Sequence, residues 1–282
     1  MASSTQTEVR VAVAVPNLNQ GAFLPAALDS LHQDVPVAVA VLDAGSRDQS
    51  QSVISTRREE LAFWRSHPDA GQAAAVNEGL QILCQLHSSV DLLTWLNADD
   101  FYLPGGLALM RDALDQHPEW VAVAGGAVVV DADGRVTAEV PTRPFDREDF
   151  GRMCTVSQPA TLIRRNAWEQ AGGLDPQLEM CFDYDLWWRL SHQGTIGYIP
   201  HRIAASRDHA DTKTRKRRPQ YFSEATAILR RELGHVPWHW YISEALEREV
   251  GYAVGQRPGL TGRLRAAWKA GAAYWHDRGS RV

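Results

Sequence analysis

Chemistry first suggests itself in this chain where an apolar run ends in two adjacent carboxylates. Leu92-Leu93-Thr94-Trp95-Leu96 reads as a buried strand and leads directly into Asn97-Ala98-Asp99-Asp100. Carboxylates rarely close a hydrophobic strand unless something cationic meets them. In open α/β sheets ligands bind beyond the carboxyl ends of the strands, so this segment suits a metal–nucleotide complex. The plainer reading is that Asn97 to Asp100 start a loop or cap the next helix. Two similar clusters lie upstream: Pro16-Asn17-Leu18-Asn19-Gln20-Gly21 and Asp43-Ala44-Gly45-Ser46-Arg47-Asp48.

Such clusters can act together only if the elements before them align. Val9 to Val15 and Val35 to Leu42 read as buried strands, and Leu61 to Trp64 as a short third one. Ala22–His32, Gln49–Glu60 and Gly71–Leu86 carry apolar residues at helical spacing. Strand alternating with helix predicts an α/β fold with a mainly parallel sheet and right-handed crossovers. The polar ends then gather along one edge, where Asn17, Asn19, Asp43, Asp99 and Asp100 meet. Neither Gly-x-Gly-x-x-Gly after the first strand nor Gly-x-x-x-x-Gly-Lys-Ser/Thr occurs, which argues against dinucleotide and P-loop folds.

Further along, Pro104–His117 predicts a helix, Trp120–Val130 a long strand and Arg135–Val140 its hairpin partner. Pro141–Thr155 reads as loop and short helix, Gln158–Ile163 as strand, and Arg164–Ala171 as a helix ending at Gly172-Gly173. Phe182–His192 is amphipathic, with Leu186, Trp187 and Leu190 on one side, and Gly194–Ile199 is a last strand. Beyond residue 200 the pattern changes to loops and helices: a polar stretch from Arg202 to Arg218, then Tyr221–Leu233, Trp238–Val254 and a basic, Trp-bearing Leu260–Trp275.

Composition sets the bounds. The chain has 282 residues, 44% hydrophobic and 22% charged, which suits one large globular domain with an appendage. No apolar run reaches transmembrane length, and Met1 to Arg10 lack a signal-peptide core. Cys84, Cys154 and Cys181 are odd in number and widely spaced, as reduced thiols in a cytoplasmic protein would be. Residues 1–200 carry 13 Lys/Arg against 26 Asp/Glu, and residues 201–282 carry 16 against 8. That change of sign gives the C-terminal part a separate task.

Five motifs occur in order: Pro16-Asn17-Leu18-Asn19-Gln20; Leu42 to Asp48; Asp69-Ala70-Gly71-Gln72-Ala73-Ala74-Ala75-Val76-Asn77-Glu78-Gly79; Trp95 to Asp100; and Asp183-Tyr184-Asp185-Leu186-Trp187. The series closely resembles the family 2 glycosyltransferases, inverting enzymes of the GT-A fold, over roughly residues 8–215. The resemblance implies a GT-A (Rossmann-like) core at 1–205. Its nucleotide-binding half would span about 8–103 and its acceptor half about 104–205, with a basic loop and helical extension at 206–282. It implies a nucleoside diphosphate sugar donor, a UDP-sugar first among them, and Mg²⁺ or Mn²⁺ as cofactor.

Within that resemblance Asp99 is the first choice of metal ligand, with Asp100 supporting it. The family pattern is usually Asp-x-Asp; Asn97 occupies its first position and brings no charge, which either weakens the metal site or shifts its role onto Asp99, His209 and water. Asp43 matches the residue that hydrogen-bonds the base, and Pro16, Asn17 and Asn19 wall the same pocket. Gln72, Asn77, Asn97, Ala98 and, more loosely, Arg47 complete the nucleotide set. Asp183 matches the general base that takes the acceptor proton, or else caps its helix. His209 resembles a late metal or diphosphate ligand, or is simply solvated. Lys213 begins a basic run that closes over phosphates as a lid or stays solvated.

The acidic first 200 residues argue against nucleic acid as a partner. The acceptor would be a glycan, a lipid-linked or a small-molecule hydroxyl. Trp238, Trp240, Trp268 and Trp275 suit either a packed cap or homodimer contact, or peripheral contact with the inner face of a membrane. Two rivals stand beside this reading. One is a sugar nucleotidyltransferase, which wants a cationic loop after the first strand that Pro16 to Gly21 lack. The other is an inactive nucleotide- or partner-binding module.

Overall fold

The computed structural model describes residues 8–32, 35–250, 269, 270 and 273. In chain order these form β1 (Val11–Asn17), α1 (Leu24–Asp29), β2 (Val37–Asp43), α2 (Ser50–Thr56), β3 (Phe63–Ser66), α3 (Gln72–Leu86), β4 (Leu92–Trp95), β5 (Phe101–Tyr102) and α4 (Gly106–Gln116). There follow β6 (Trp120–Val130), β7 (Val136–Glu139), α5 (Arg147–Arg152), a 3-10 turn (Gln158–Ala160), β8 (Thr161–Arg164), α6 (Arg165–Ala171), α7 (Phe182–Ser191) and β9 (Thr195–Arg207). The last are α8 (Lys213–Lys216), α9 (Arg218–Leu233) and α10 (Trp238–Val250).

The described residues make two compact units, one from 8–145 with 155–208, the other from 146–154 with 209 onward. The first holds a sheet in the order β3-β2-β1-β4-β8-β6-β9-β5, with β7 paired to β6. β3, β2, β1 and β4 are mutually parallel, as alternation with helices requires. β8 turns the direction, antiparallel to both β4 and β6, while β6 and β9 run parallel.

Alternation of Val and Ala in β1 and β2 decides how the helices pack. Val11, Val13, Val15, Val39 and Val41 point into one apolar cluster with Leu24, Leu28, Met110 and Leu114. The Ala face receives α3. A Cβ on Gly79 would come within 2.5 Å of the Leu42 side chain and 3.2 Å of the Ala14 Cβ. Small residues thus let α3 lie close to the strands, and its buried Leu80 and Leu83 each contribute roughly 1.5–3 kcal/mol. The register aligns Asn17 with Asp43 and Asp43 with Ser66, so three strand ends fall on one line.

Three expectations change. β9 does not stop at Ile199 but runs to Arg207, beside β6 through irregularities at Gly125 and Gly126. A Cβ on Gly125 would meet Ile203 at 2.3 Å, which explains the glycine. The strand carries the first unit past residue 205, to 208. α7 is buried on more than one side: Trp187 stacks on Trp95 with centroids 6.0 Å apart, and Trp188 meets Phe145 edge-on at 6.1 Å. In the second unit α5, expected as part of a loop within the core, packs with the C-terminal helices. There Trp240 Nε1 donates to Gly151 O at 2.9 Å and Arg147 to Glu232 O at 2.6 Å.

The basic run from Lys213 is helical, continuing through α8 into α9. Of the Leu260–Trp275 stretch, Lys269, Ala270 and Ala273 are helical and the rest, with Gly251 to Val254 before it, lies outside the described residues. Among the described residues no helix is long and apolar enough to cross a membrane.

Candidate active site

The loops after β1 and β2 are sewn together by Asp43. Its Oδ1 accepts from Asn17 Nδ2 (2.6 Å) and the Ser46 hydroxyl, and its Oδ2 from Ser46 N (3.1 Å) and Ser66 Oγ (2.5 Å). Burial alone would push this carboxyl up, but the four donors outweigh it and hold it below the usual range. These donors occupy Asp43 within the protein and fix the shape of the two loops. Asn17, 3% exposed, keeps its Oδ1 without a protein partner among the described residues.

Asn19 takes the left-handed conformation (φ 54°) that Asn tolerates, and bridges to the second loop. Its N–H donates to Ser46 Oγ at 2.7 Å, and its Oδ1 accepts from Arg47 N at 2.8 Å. Pro16 is buried in β1, and Arg47 is exposed. Across the sheet, Arg65 Nη1 donates to Asp43 O and His67 O, and its other nitrogens reach Asp69 and Glu78, fastening the approach to α3.

Asn97 is the hub of the second cluster. Its Oδ1 accepts from Gln72 Nε2 at 2.7 Å, and its Nδ2 donates to Asp100 Oδ2 at 3.0 Å and Gln158 Oε1 at 3.3 Å. Gln72 opens α3, whose first turn holds no acid and no capping side chain. The positive end of that helix thus begins one hydrogen bond from Asn97. Asp99 is half-buried in the turn, and Ala98 belongs to the apolar core.

Asp100 is buried, and burial followed by the charge of adjacent Asp99 pushes its carboxyl up to about 7. Donors from Arg207 N (2.9 Å), Asn97 and Ser206 oppose that shift. The Arg207 guanidinium lies 4.7 Å from the Phe23 ring centre and 5.4 Å from that of Phe101. It donates to Asp99 O at 3.0 Å and to Asp131 O and Ala132 O at 3.0 and 2.9 Å. The end of β9 therefore holds the turn after β4.

Asp183 occupies the first turn of α7, half-buried, with its Oδ1 accepting from Tyr184 N at 2.7 Å. Cys181 takes the cap position, so Asp183 is not the helix cap. Neighbouring Phe182 lies 6.5 Å from Trp95, centroid to centroid, which brings the start of α7 to the end of β4. Asp185 is separate: it is buried and paired with Arg189 Nη2 at 2.7 Å.

Asn77, expected near the donor phosphates or ribose, bonds across to the chain before α7. Its Nδ2 donates to Leu174 O (2.8 Å) and its Oδ1 accepts from Leu174 N (2.9 Å), so both ends of the amide clamp the chain before α7. His209 and Lys213 belong to the second unit. There His209 N donates to Thr212 Oγ1 at 2.9 Å, and Lys213 is exposed at the start of α8. Sequence reasoning missed Gln158, Arg207, Ser46 and Ser66. A signal existed for two of them: Gln158 precedes the mainly apolar Ala160 to Ile163, and Arg207 ends the run of small residues Ala204-Ala205-Ser206.

Among the described residues no three His, Cys, Asp or Glu side chains gather as a metal cage. Mg²⁺ asks less of a protein, one or two carboxylates plus substrate phosphates, and Asp99 at a strand end fits an ion carried in with a diphosphate.

Comparison with known proteins agrees with this architecture. A mannosyltransferase from Pyrobaculum calidifontis, solved with GDP-Man and Mn²⁺, superposes with a TM-score of 0.63 at 20% identity, covering 95% of this chain and 76% of that one. S. aureus TarS 1-349 with UDP-GlcNAc gives 0.62 at 15% identity, covering 94% and 82%. These likenesses establish a shared fold, that of GT-A glycosyltransferases. An uncharacterised glycosyltransferase of Rickettsia typhi is 18% identical over 255 residues, 85% of this chain and 74% of its own length. An uncharacterised Mycobacterium tuberculosis protein is 24% identical over 226 residues, 72% and 69% of the two chains. The family model "Glycosyl transferase family 2" matches residues 12–172, more than half of the chain, from β1 to just past α6. That span contains both strand-end clusters, and the chain accordingly belongs to glycosyl transferase family 2 and is a glycosyltransferase.

Proposed function

We propose that the protein moves a sugar from a nucleoside diphosphate donor, a UDP-sugar first among them, to an acceptor hydroxyl with inversion. The observation that carries this reading is the Asn97–Asp100 turn, tied at once to the first residue of α3 and to the end of β9. Loops after β1 and β2 wall the base, with Asp43 and Asn17 at the buried side of that pocket and Asn19 and Arg47 at the exposed rim. The diphosphate lies between the N-terminus of α3 and Asp99. Asp99, with Asp100 behind it, would hold Mg²⁺ or Mn²⁺, which when bound neutralises charge on the departing diphosphate.

Asp183 acts as general base. The acceptor oxygen attacks the anomeric carbon while its proton passes to the Asp183 carboxylate. The bond from that carbon to the diphosphate breaks, and its electron pair leaves with the nucleoside diphosphate. The relatives' donors, UDP-GlcNAc and GDP-Man, support the class of ligand.

A panel of nucleotide sugars scored by thermal stabilisation identifies the donor, because a ligand of the folded state raises the melting point. With that donor, Asp183→Asn should lower transfer by at least about 10²-fold while nucleotide affinity changes little. Wild-type turnover in the variant would remove Asp183 as the base.

A further inference from the structure

The amides around Asn97 have a direction that their chemistry dictates. The main-chain carbonyl of Trp95 can only accept, so Gln158 turns Nε2 toward it at 2.7 Å and leaves Oε1 facing Asn97. The Gln158 oxygen therefore requires the Nδ2 of Asn97, which also lies 3.0 Å from Asp100 Oδ2, and the Asn97 Oδ1 is left to accept from Gln72. An amide flipped at 97 would set its oxygen against Gln158 Oε1 and its NH2 against that of Gln72. Trp95 is fully buried, Gln158 is 9% exposed and Asp100 3%, so water does not readily replace a lost partner.

We infer that Gln158 is a positioning residue for the Asp99–Asp100 turn, and that it fixes position 97 as an obligate neutral donor. A carboxylate at 97 would set an oxygen against Gln158 Oε1 and place a further negative charge beside Asp99 and Asp100. Turning Gln158 over would satisfy one contact and set two carbonyl oxygens against each other at Trp95. The amide at 97 is thus matched to its neighbours and is not a degraded acid. As regards binding, this inference rests on the reading that the turn grips a donor diphosphate.

The test compares wild type with Asn97→Asp, Gln158→Leu, the two combined, and Asn97→Asp combined with Asp100→Asn. Each full chain is titrated with UDP and Mn²⁺ by calorimetry and is melted thermally. Asn97→Asp should weaken binding about tenfold and lower the melting temperature, and Gln158→Leu should weaken it about threefold. Exchanging acid and amide between 97 and 100 should recover part of the lost melting temperature, because an amide at 100 again donates to its neighbour; binding is not expected to return with it, since Asp100 stands behind the metal ligand. Loss of packing alone would give no such recovery. In the Gln158→Leu background, Asn97→Asp should cost less than it does alone, since one opposing oxygen has gone.

The inference is overturned if Asn97→Asp melts and binds like wild type, or if the exchange recovers nothing. Should Asn97→Asp fail to fold, a folded exchange variant supports the inference and an unfolded one overturns it. Wild type that binds neither UDP nor GDP with Mn²⁺ would break the nucleotide reading instead. The melting temperatures of the same variants would still decide the positioning role.

Discussion

Asp43 and Asp100 are buried carboxylates at the polar edge of one sheet, and their surroundings push them in opposite directions. Burial works against the charge at both. Asp43 answers it with two hydroxyls, an amide and a main-chain N–H. Asp100 also has donors, yet Asp99 sits beside it and adds a second negative charge. Arg207, the nearby cation, gives Asp100 its backbone N–H and spends its guanidinium on carbonyl oxygens. One strand end is therefore a settled structural joint, and the other retains the electrostatic tension that a bound cation would relieve.

The largest effect should come from breaking the settled end. Asp43→Ala leaves the donors of Asn17, Ser46 and Ser66 unmet inside the protein and should cost about 3 kcal/mol of stability, measured by urea unfolding. Because the folded carboxyl lies below its ordinary 3.8, its contribution is complete above about pH 4 and vanishes only as pH falls through the lowered value. Unfolding of wild type between pH 5 and 8 should show no slope from this group. A loss under about 1 kcal/mol in the variant would mean that water replaces the carboxylate.

Arg207→Lys tests what holds the other end. It keeps a positive charge but loses the planar fork and the stacking on Phe23 and Phe101, for about 2 kcal/mol by thermal melting. Unchanged stability would show that charge alone suffices there. The smallest effect is a change of slope. Asp100, raised to about 7 from 3.8, makes the cation-free protein less stable as pH climbs from about 4 to 7, because the folded state binds the proton more tightly. Asp100→Asn should remove that slope, worth on the order of 1 kcal/mol per pH unit between pH 5 and 7. Parallel stability curves for the two proteins would place Asp100 in an ordinary environment.

The parallel half of the sheet was legible because Val and Ala alternate in β1 and β2 and each strand closes on polar residues. β9 was read short because Pro200, His201 and Arg202 break its apolar pattern, whereas pairing with β6 carries the strand across the interruption. Trp188 was left off the inward face of α7 because Phe145, distant in sequence, covers the other side. Asn77 was read as a ligand from its place in a motif, but its partner Leu174 lies 97 residues away, and no local pattern announces that bond.

By itself the sequence determined which residue types stand at the strand ends and which family they resemble, since both follow from local hydrophobic rhythm and motif order. Tertiary structure alone decided which donor meets which acceptor there. It filled Asp43, clamped Asn77 on a backbone, and placed Gln158 and Arg207 behind the acidic turn. The physical reason is reach: a hydrogen bond forms or fails over a few tenths of an ångström, between loops whose separation is set by the packing of the whole sheet.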